Sequence, residues 1–204
     1  MRIEQRTRIV NRHRDSLKRH GYHANALYWS SKAVQESRFE VLARIGMAPG
    51  ESLLDVGCGF ADFYGWSKKH LGGALHYTGV DLSPDLLDVA KKHHPDLALH
   101  CGELADFVWP PHAFDWVVMS GSLSEALGDQ GENGRNTVAE AFVLSQKGVA
   151  FNMLSIHDPY MAAASDLQAY DPHEMVTYCQ SMCDDVVLID DYLSCDFTIF
   201  MRRQ

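Results

Sequence analysis

No stretch of this 204-residue chain stays apolar for the roughly 18–20 residues that a bilayer-spanning helix needs. The opening MRIEQRTRIVNRHRDSLKRH is charged and lacks the apolar centre of a secretory signal, so a cytoplasmic protein is expected. Cysteines are sparse and odd in number: Cys58, Cys101, Cys179, Cys183 and Cys195. Only Cys179 and Cys183 lie close together, which fits reduced thiols rather than a disulfide framework or a four-ligand zinc site. His93 and His94 are adjacent on an expected helix and cannot share a face, so no metal site is expected either. Neither an internal repeat nor a Gly/Ser/Pro-rich linker divides the chain. One domain over residues 1–204 is the expectation, and that length can bury an adequate core without staples.

Excess positive charge is also missing. The net charge of −9 argues against general nucleic-acid binding. The charge is uneven, however. Residues 1–20 hold Arg2, Arg6, Arg8, Arg12, Arg14, Lys18 and Arg19 against Glu4 and Asp15, a local +5 that leaves −14 for the rest. This reads as a solvated amphipathic helix with Ile3, Val10 and Leu17 turned inward. Attraction of an anionic substrate or RNA is the alternative.

What is present is an alternation of strands and helices. Helical patterns are expected over 1–20, 31–46, 61–71, 84–93, 134–146 and 172–182. Apolar strand patterns are expected over 52–57, 74–82, 97–101, 114–120, 148–155, 186–189 and 197–201. Ser83-Pro84 and Asp171-Pro172 mark helix starts. Such alternation implies an α/β fold: a doubly wound, Rossmann-like sheet of about seven strands with helices on both faces. The sheet would be mostly parallel. The last two strands are too close in sequence for a crossover helix and are expected to form an antiparallel hairpin. Residues 1–47 would form a helical cap, and residues 48–204 the α/β core.

The first strand runs into Asp55-Val56-Gly57-Cys58-Gly59-Phe60-Ala61. A glycine turn between a buried strand and a helix marks a nucleotide-cofactor crevice in such a sheet. Asp55, two residues before Gly57, would suit an ammonium group and repel a pyrophosphate. A dinucleotide fingerprint would want a small residue where Asp62 stands, which argues against a nicotinamide oxidoreductase. Asp81 ends the second strand, where a carboxylate can accept hydrogen bonds from both ribose hydroxyls; it could also simply cap the next helix.

The runs LLDVGCGFADF (53–63), YTGVDLSPDLLDVAKK (77–92) and FDWVVMSGSL (114–123) resemble motifs of the class I S-adenosylmethionine-dependent methyltransferases. The resemblance covers about residues 50–155, and the terminal hairpin matches the same fold. Ala61 replaces the family's third glycine. The resemblance implies S-adenosyl-L-methionine as cofactor. Asp55, Gly57, Cys58, Gly59, Phe60 and Ala61 would surround its methionine part. Asp81 would hold the ribose, Leu82 and Leu104 would flank the base, and Glu103 would bond the adenine amine. Ser120 would flank the methionine portion, and Arg38 or Gln35 would meet its carboxylate. Tyr28, Trp29, Asn152 and Tyr160 are the expected acceptor contacts, with Met153, Met161 and Tyr170 as further lining.

Displacement from a sulfonium chiefly requires alignment, and orientation alone can supply about 7–11 kcal/mol. Candidate bases for a protonated acceptor follow the fourth and fifth strands: Glu125, His157, Asp158 and Tyr160. His157 is preferred, because histidine ordinarily titrates near neutrality. The expected function is methyl transfer to a small molecule by a monomer or homodimer. The alternatives are an RNA or protein methyltransferase using the basic N-terminal segment, and a non-catalytic cofactor-binding module.

Overall fold

A computed structural model describes residues 1–203. Every central strand is buried on both faces, and its side chains alternate between two apolar layers. Leu53, Trp116, Ala150 and Phe200 meet one layer, beside Phe39 and Leu42 of α2 (Lys32–Ala43) and Phe63 of α3 (Asp62–His70). Their sequence neighbours Leu54, Val117, Val149 and Ile199 meet the other layer. That layer is completed by Val138 of α5 (Glu132–Leu144) and by Met175 and Cys179 of α7 (Pro172–Gln180).

The strands are β1 (Ser52–Val56), β2 (His76–Asp81), β3 (Ala98–Cys101), β4 (Phe114–Met119), β5 (Ser145–Ser155), β6 (Ala169–Tyr170), β7 (Asp185–Ile189) and β8 (Asp196–Arg202). Their order is β3-β2-β1-β4-β5-β8-β7. The first five are parallel, while β8 runs antiparallel between β5 and β7. The fold class is therefore the expected one. The eighth strand, β6, is two residues that pair with β5, too short to leave a sequence pattern. Order reverses between β1 and β4, which opens a crevice at their carboxyl ends.

Helix α4 (Pro84–His93) follows β2, and its N-terminus is capped by the Ser83 hydroxyl. Between β3 and β4 there is only a 3-10 turn, Leu104–Asp106, where the neighbouring crossovers carry helices. A short α6 (Pro159–Ala163) follows β5. No helix among the described residues is long and apolar enough to cross a membrane.

The N-terminal helix α1 (Ile3–His20) is rotated from the expected setting. Ile9 and Ser16 are buried, whereas Ile3 is exposed. Leu17 packs on the small cluster of Ala26, Phe60 and Leu86, and ion pairs line the rest of the seam. Arg6 pairs with Glu103 and Asp106, Arg8 and Arg12 with Glu125, Arg12 also with Asp166, and Arg14 with Asp85. Four arginines of the basic run thus face acids of the core across the helix, and their long stems cover apolar surface on the way.

Candidate active site

The crevice deepens into a cavity of about 700 Å³, within the range of small-molecule sites. Its floor is the glycine turn. The amides of Gly57 and Cys58 both donate to the Val80 carbonyl, at 2.7 and 3.0 Å, tying the turn to the end of β2. Gly57 has φ +79°, and a Cβ there would lie 2.2 Å from the Ser122 Cβ. Only glycine meets both demands. Ser122 donates its hydroxyl to the Val56 carbonyl at 2.7 Å, so the β4 loop presses directly on the turn. Ala61 keeps the left-handed backbone at φ 59° although it carries a methyl.

Asp81 organises the next edge. Its Oδ2 accepts the Gly59 amide at 2.8 Å, and its Oδ1 accepts the Ser83 amide at 2.8 Å. It is both a loop anchor and a cavity-lining carboxylate. Burial raises its pKa, against the opposing pull of the Ser83 amide, His13 and the Gly59 amide. Asp55 also lines the cavity but is tethered from below, accepting the Tyr77 hydroxyl at 2.6 Å. Burial pushes its pKa up to about 7.

The cap supplies another wall. Gln35 donates to Asp62 at 3.0 Å, and the Tyr22 hydroxyl meets the other oxygen at the same distance. Arg38 is 4% exposed and ion-paired with Asp196, which opens β8. Its guanidinium carbon lies 4.5 Å from the centre of the Trp29 ring, and its Nε has no hydrogen-bond partner among the described residues. Trp29 in turn packs on Gly121, where a Cβ would stand 2.3 Å from the indole and φ is +69°. Gly121→Ala is expected to displace Trp29 and cost about 1–2 kcal/mol, read as a lower melting temperature with altered tryptophan emission. An unchanged melt would show that the indole has no fixed seat there.

Most of the residues expected from sequence meet around this cavity: Asp55, Gly57, Cys58, Gly59, Asp81, Leu82, Glu103, Leu104, Ser120, Gln35 and Arg38, with Tyr28, Trp29 and Asn152. Met161 and Tyr170 line it too. Asn152 accepts the Gly121 amide at 2.8 Å, which fixes the β4 loop.

Others are not brought there. His157 is exposed outside the cavity, in the turn from Ser155 to Asp158, with its ring 3.5 Å from Asp171. Tyr160 is 83% exposed on α6 and points away from the wall. Asp158 is occupied in capping α6. Phe60 and Ala61 are fully buried and hold the turn from behind. Met153 belongs to the core layer under β5.

Several lining residues escaped sequence reasoning. Ile9, Arg12 and His13 come from α1, and nothing in that charged run distinguishes them from solvated neighbours. Asp196 left a usable signal, an acid opening an otherwise apolar strand. Asn133, Thr137 and Glu140 left one as well, a polar stripe at helical spacing.

Residues 53–142 match a family model described as a methyltransferase domain. The demethylmenaquinone methyltransferase of Listeria welshimeri is 30% identical over 91 residues, 42% of this chain and 39% of that protein. An N,N-dimethyltransferase of Streptomyces fradiae, named for dTDP-3-amino-3,6-dideoxy-alpha-D-glucopyranose, is 40% identical over 57 residues, 28% of this chain and 21% of that one. The chain thus spans well under half the length of these relatives. Among solved structures, magnesium protoporphyrin IX methyltransferase from Synechocystis PCC 6803 with bound S-adenosylhomocysteine aligns with a TM-score of 0.64 at 12% identity, covering 83% of each chain. An S-adenosylmethionine-dependent methyltransferase from Mesorhizobium loti aligns at 0.61 and 16% identity, over 82% of this chain and 98% of its own. Residues 53–142 are thus similar to a methyltransferase domain, and the chain shares the overall fold of the methyltransferase structures it aligns with.

Proposed function

We propose that the protein transfers a methyl group from S-adenosyl-L-methionine to a small-molecule acceptor. The observation that carries this reading is the Asp81 carboxylate. Both its oxygens are pinned by backbone amides at the end of β2, beside a glycine turn that no side chain could occupy. The cavity also has the size and acidic lining that suit a cationic sulfonium.

When bound, the cofactor supplies an activated methyl group on a good leaving group. The protein supplies alignment. Asp81 receives the ribose hydroxyls, while Leu82 and Leu104 flank the base. Gly57 and Gly59 let the backbone approach the methionine part, and Asp55 and Ser120 stand near its ammonium end. The free Nε of Arg38, beside Gln35, suits its carboxylate. Trp29, Asn152 and Met161 then shape the acceptor end. His157 has no part in this arrangement, and the transfer is assigned no general base.

The basic N-terminal segment gives little support to an RNA acceptor. Its four central arginines already face acids of the same chain.

Calorimetric titration with S-adenosylhomocysteine is the direct test, with NADH as the control. Micromolar binding of the first and none of the second is expected. Binding of NADH alone would overturn the reading. Binding followed by no turnover across a broad panel of amines, phenols and thiols would favour a non-catalytic binding module.

A further inference from the structure

Helix α5 turns a polar face toward the cavity. Asn133, Asn136, Thr137 and Glu140 follow the i, i+3, i+4, i+7 spacing of a single helical stripe, and all four line the wall. The opposite stripe is ordinary core, with Val138, Ala141 and Phe142 buried. Asn136 is exposed and the other three are half-buried at this open wall, so the stripe offers polar groups to a ligand.

Glu140 is the notable member. Burial, and then the nearby charge of Glu103, hold its carboxyl above the usual range, and no hydrogen bond answers it. Glu103 differs in this respect, because Arg6 has closed on it from α1. The carboxylate that the family resemblance assigns to the adenine amine is therefore already engaged. A second, unengaged carboxylate stands across the same lobe. The β3–β4 connection is only the turn Leu104–Asp106, and α5 packs against that turn directly, which brings its polar stripe to this part of the cavity.

On the methyltransferase reading, on which this inference rests, the lobe receives the base. Asp81 fixes the ribose, and Leu82 and Leu104 line the way in. The adenine edge presents an amino donor next to a ring-nitrogen acceptor. A carboxylate and a carboxamide complement that pair. We propose that Glu140 accepts the hydrogen bond of the adenine 6-amino group, with the Asn136 carboxamide beside it. Helix α5, not the turn after β3, then reads the base.

The test compares S-adenosylhomocysteine with its deaminated form, S-inosylhomocysteine, by calorimetry on the full chain. In the deaminated base a carbonyl oxygen replaces the amine and would face the carboxylate. The wild type is expected to prefer the adenosyl form by roughly tenfold or more. Glu140→Gln, whose amide can either accept or donate, is expected to narrow that preference to about threefold or less. Glu103→Gln is expected to keep it. Glu140 is half-buried and unpaired, so its variant should melt with the wild type, and that melt is recorded alongside. Equal affinities in the wild type would overturn the assignment, as would a preference that survives in Glu140→Gln and vanishes in Glu103→Gln. If the wild type binds neither compound, the methyltransferase reading falls and the assignment falls with it.

Discussion

Arg38→Met lowers the stability of the fold by about 3–5 kcal/mol, the usual cost of leaving one member of a buried ion pair without its partner. Arg38 is 4% exposed and Asp196 is 3% exposed. The pair joins α2 to the start of β8 and seats Trp29 above the guanidinium. The pH dependence of the loss separates this cause from a simple packing defect. Burial pushes the Asp196 carboxyl up to about 6, with the charge of Arg38 and its hydrogen bond opposing. The fold therefore prefers the protonated acid. The stability contributed by that preference is full below about pH 4 and is lost as pH rises through about 6. Without Arg38 the carboxyl rises further, so the loss continues to higher pH. The gap in melting temperature between wild type and variant should be wider at pH 8 than at pH 5. A gap that stays constant or narrows would mean that the pair carries no charge coupling. Methionine retains most of the apolar stem, so packing changes little between the two conditions.

Asp81→Ala weakens S-adenosylhomocysteine binding by about 100-fold. Each oxygen of Asp81 already accepts one backbone amide, and each keeps a further lone pair for a ribose hydroxyl. Two hydrogen bonds to a charged group, at about 1.5 kcal/mol each, amount to roughly two orders of magnitude in affinity. The variant also frees the Gly59 amide, so the turn loses its fixed shape. Asp81→Asn should lie between the two proteins, since its carboxamide offers one oxygen where two are used. Calorimetry on all three, with a melting curve to confirm folding, checks the series. Wild-type affinity in Asp81→Ala would show that the carboxylate is a helix-start anchor and nothing more.

The two results bear on different links between sequence and site. Asp81 was visible in the sequence because its place follows from strand order: in an alternating α/β chain the end of the second strand falls at the crevice. Arg38 was visible as a residue but not in its setting. Its partner Asp196 lies far along the chain and reaches it only through the antiparallel insertion of β8 beside β5. His157 failed for a related reason. Position after β5 was right for a site residue, as Met161 shows, but His157 falls within the turn from Ser155 to Asp158 and lies exposed beside Asp171, and turn direction leaves little periodic trace. The N-terminal helix was legible as a helix, while its rotation was not. A heptad count sees Ile3, Val10 and Leu17, yet the arginines meet acids from four separate parts of the core.

The sequence by itself determined the α/β alternation, the parallel sheet with its terminal hairpin, and the glycine turn with Asp55 and Asp81 at strand ends. These follow from local periodicity and from backbone demands that only certain residues meet. Tertiary structure alone decided which face of α1 looks inward, that Arg38 is held by Asp196, that Glu103 is closed by Arg6, and that Glu140 is left open to the cavity. Each of these depends on which charges meet across distant segments. Coulomb attraction and desolvation act through space, and no spacing along the chain encodes them.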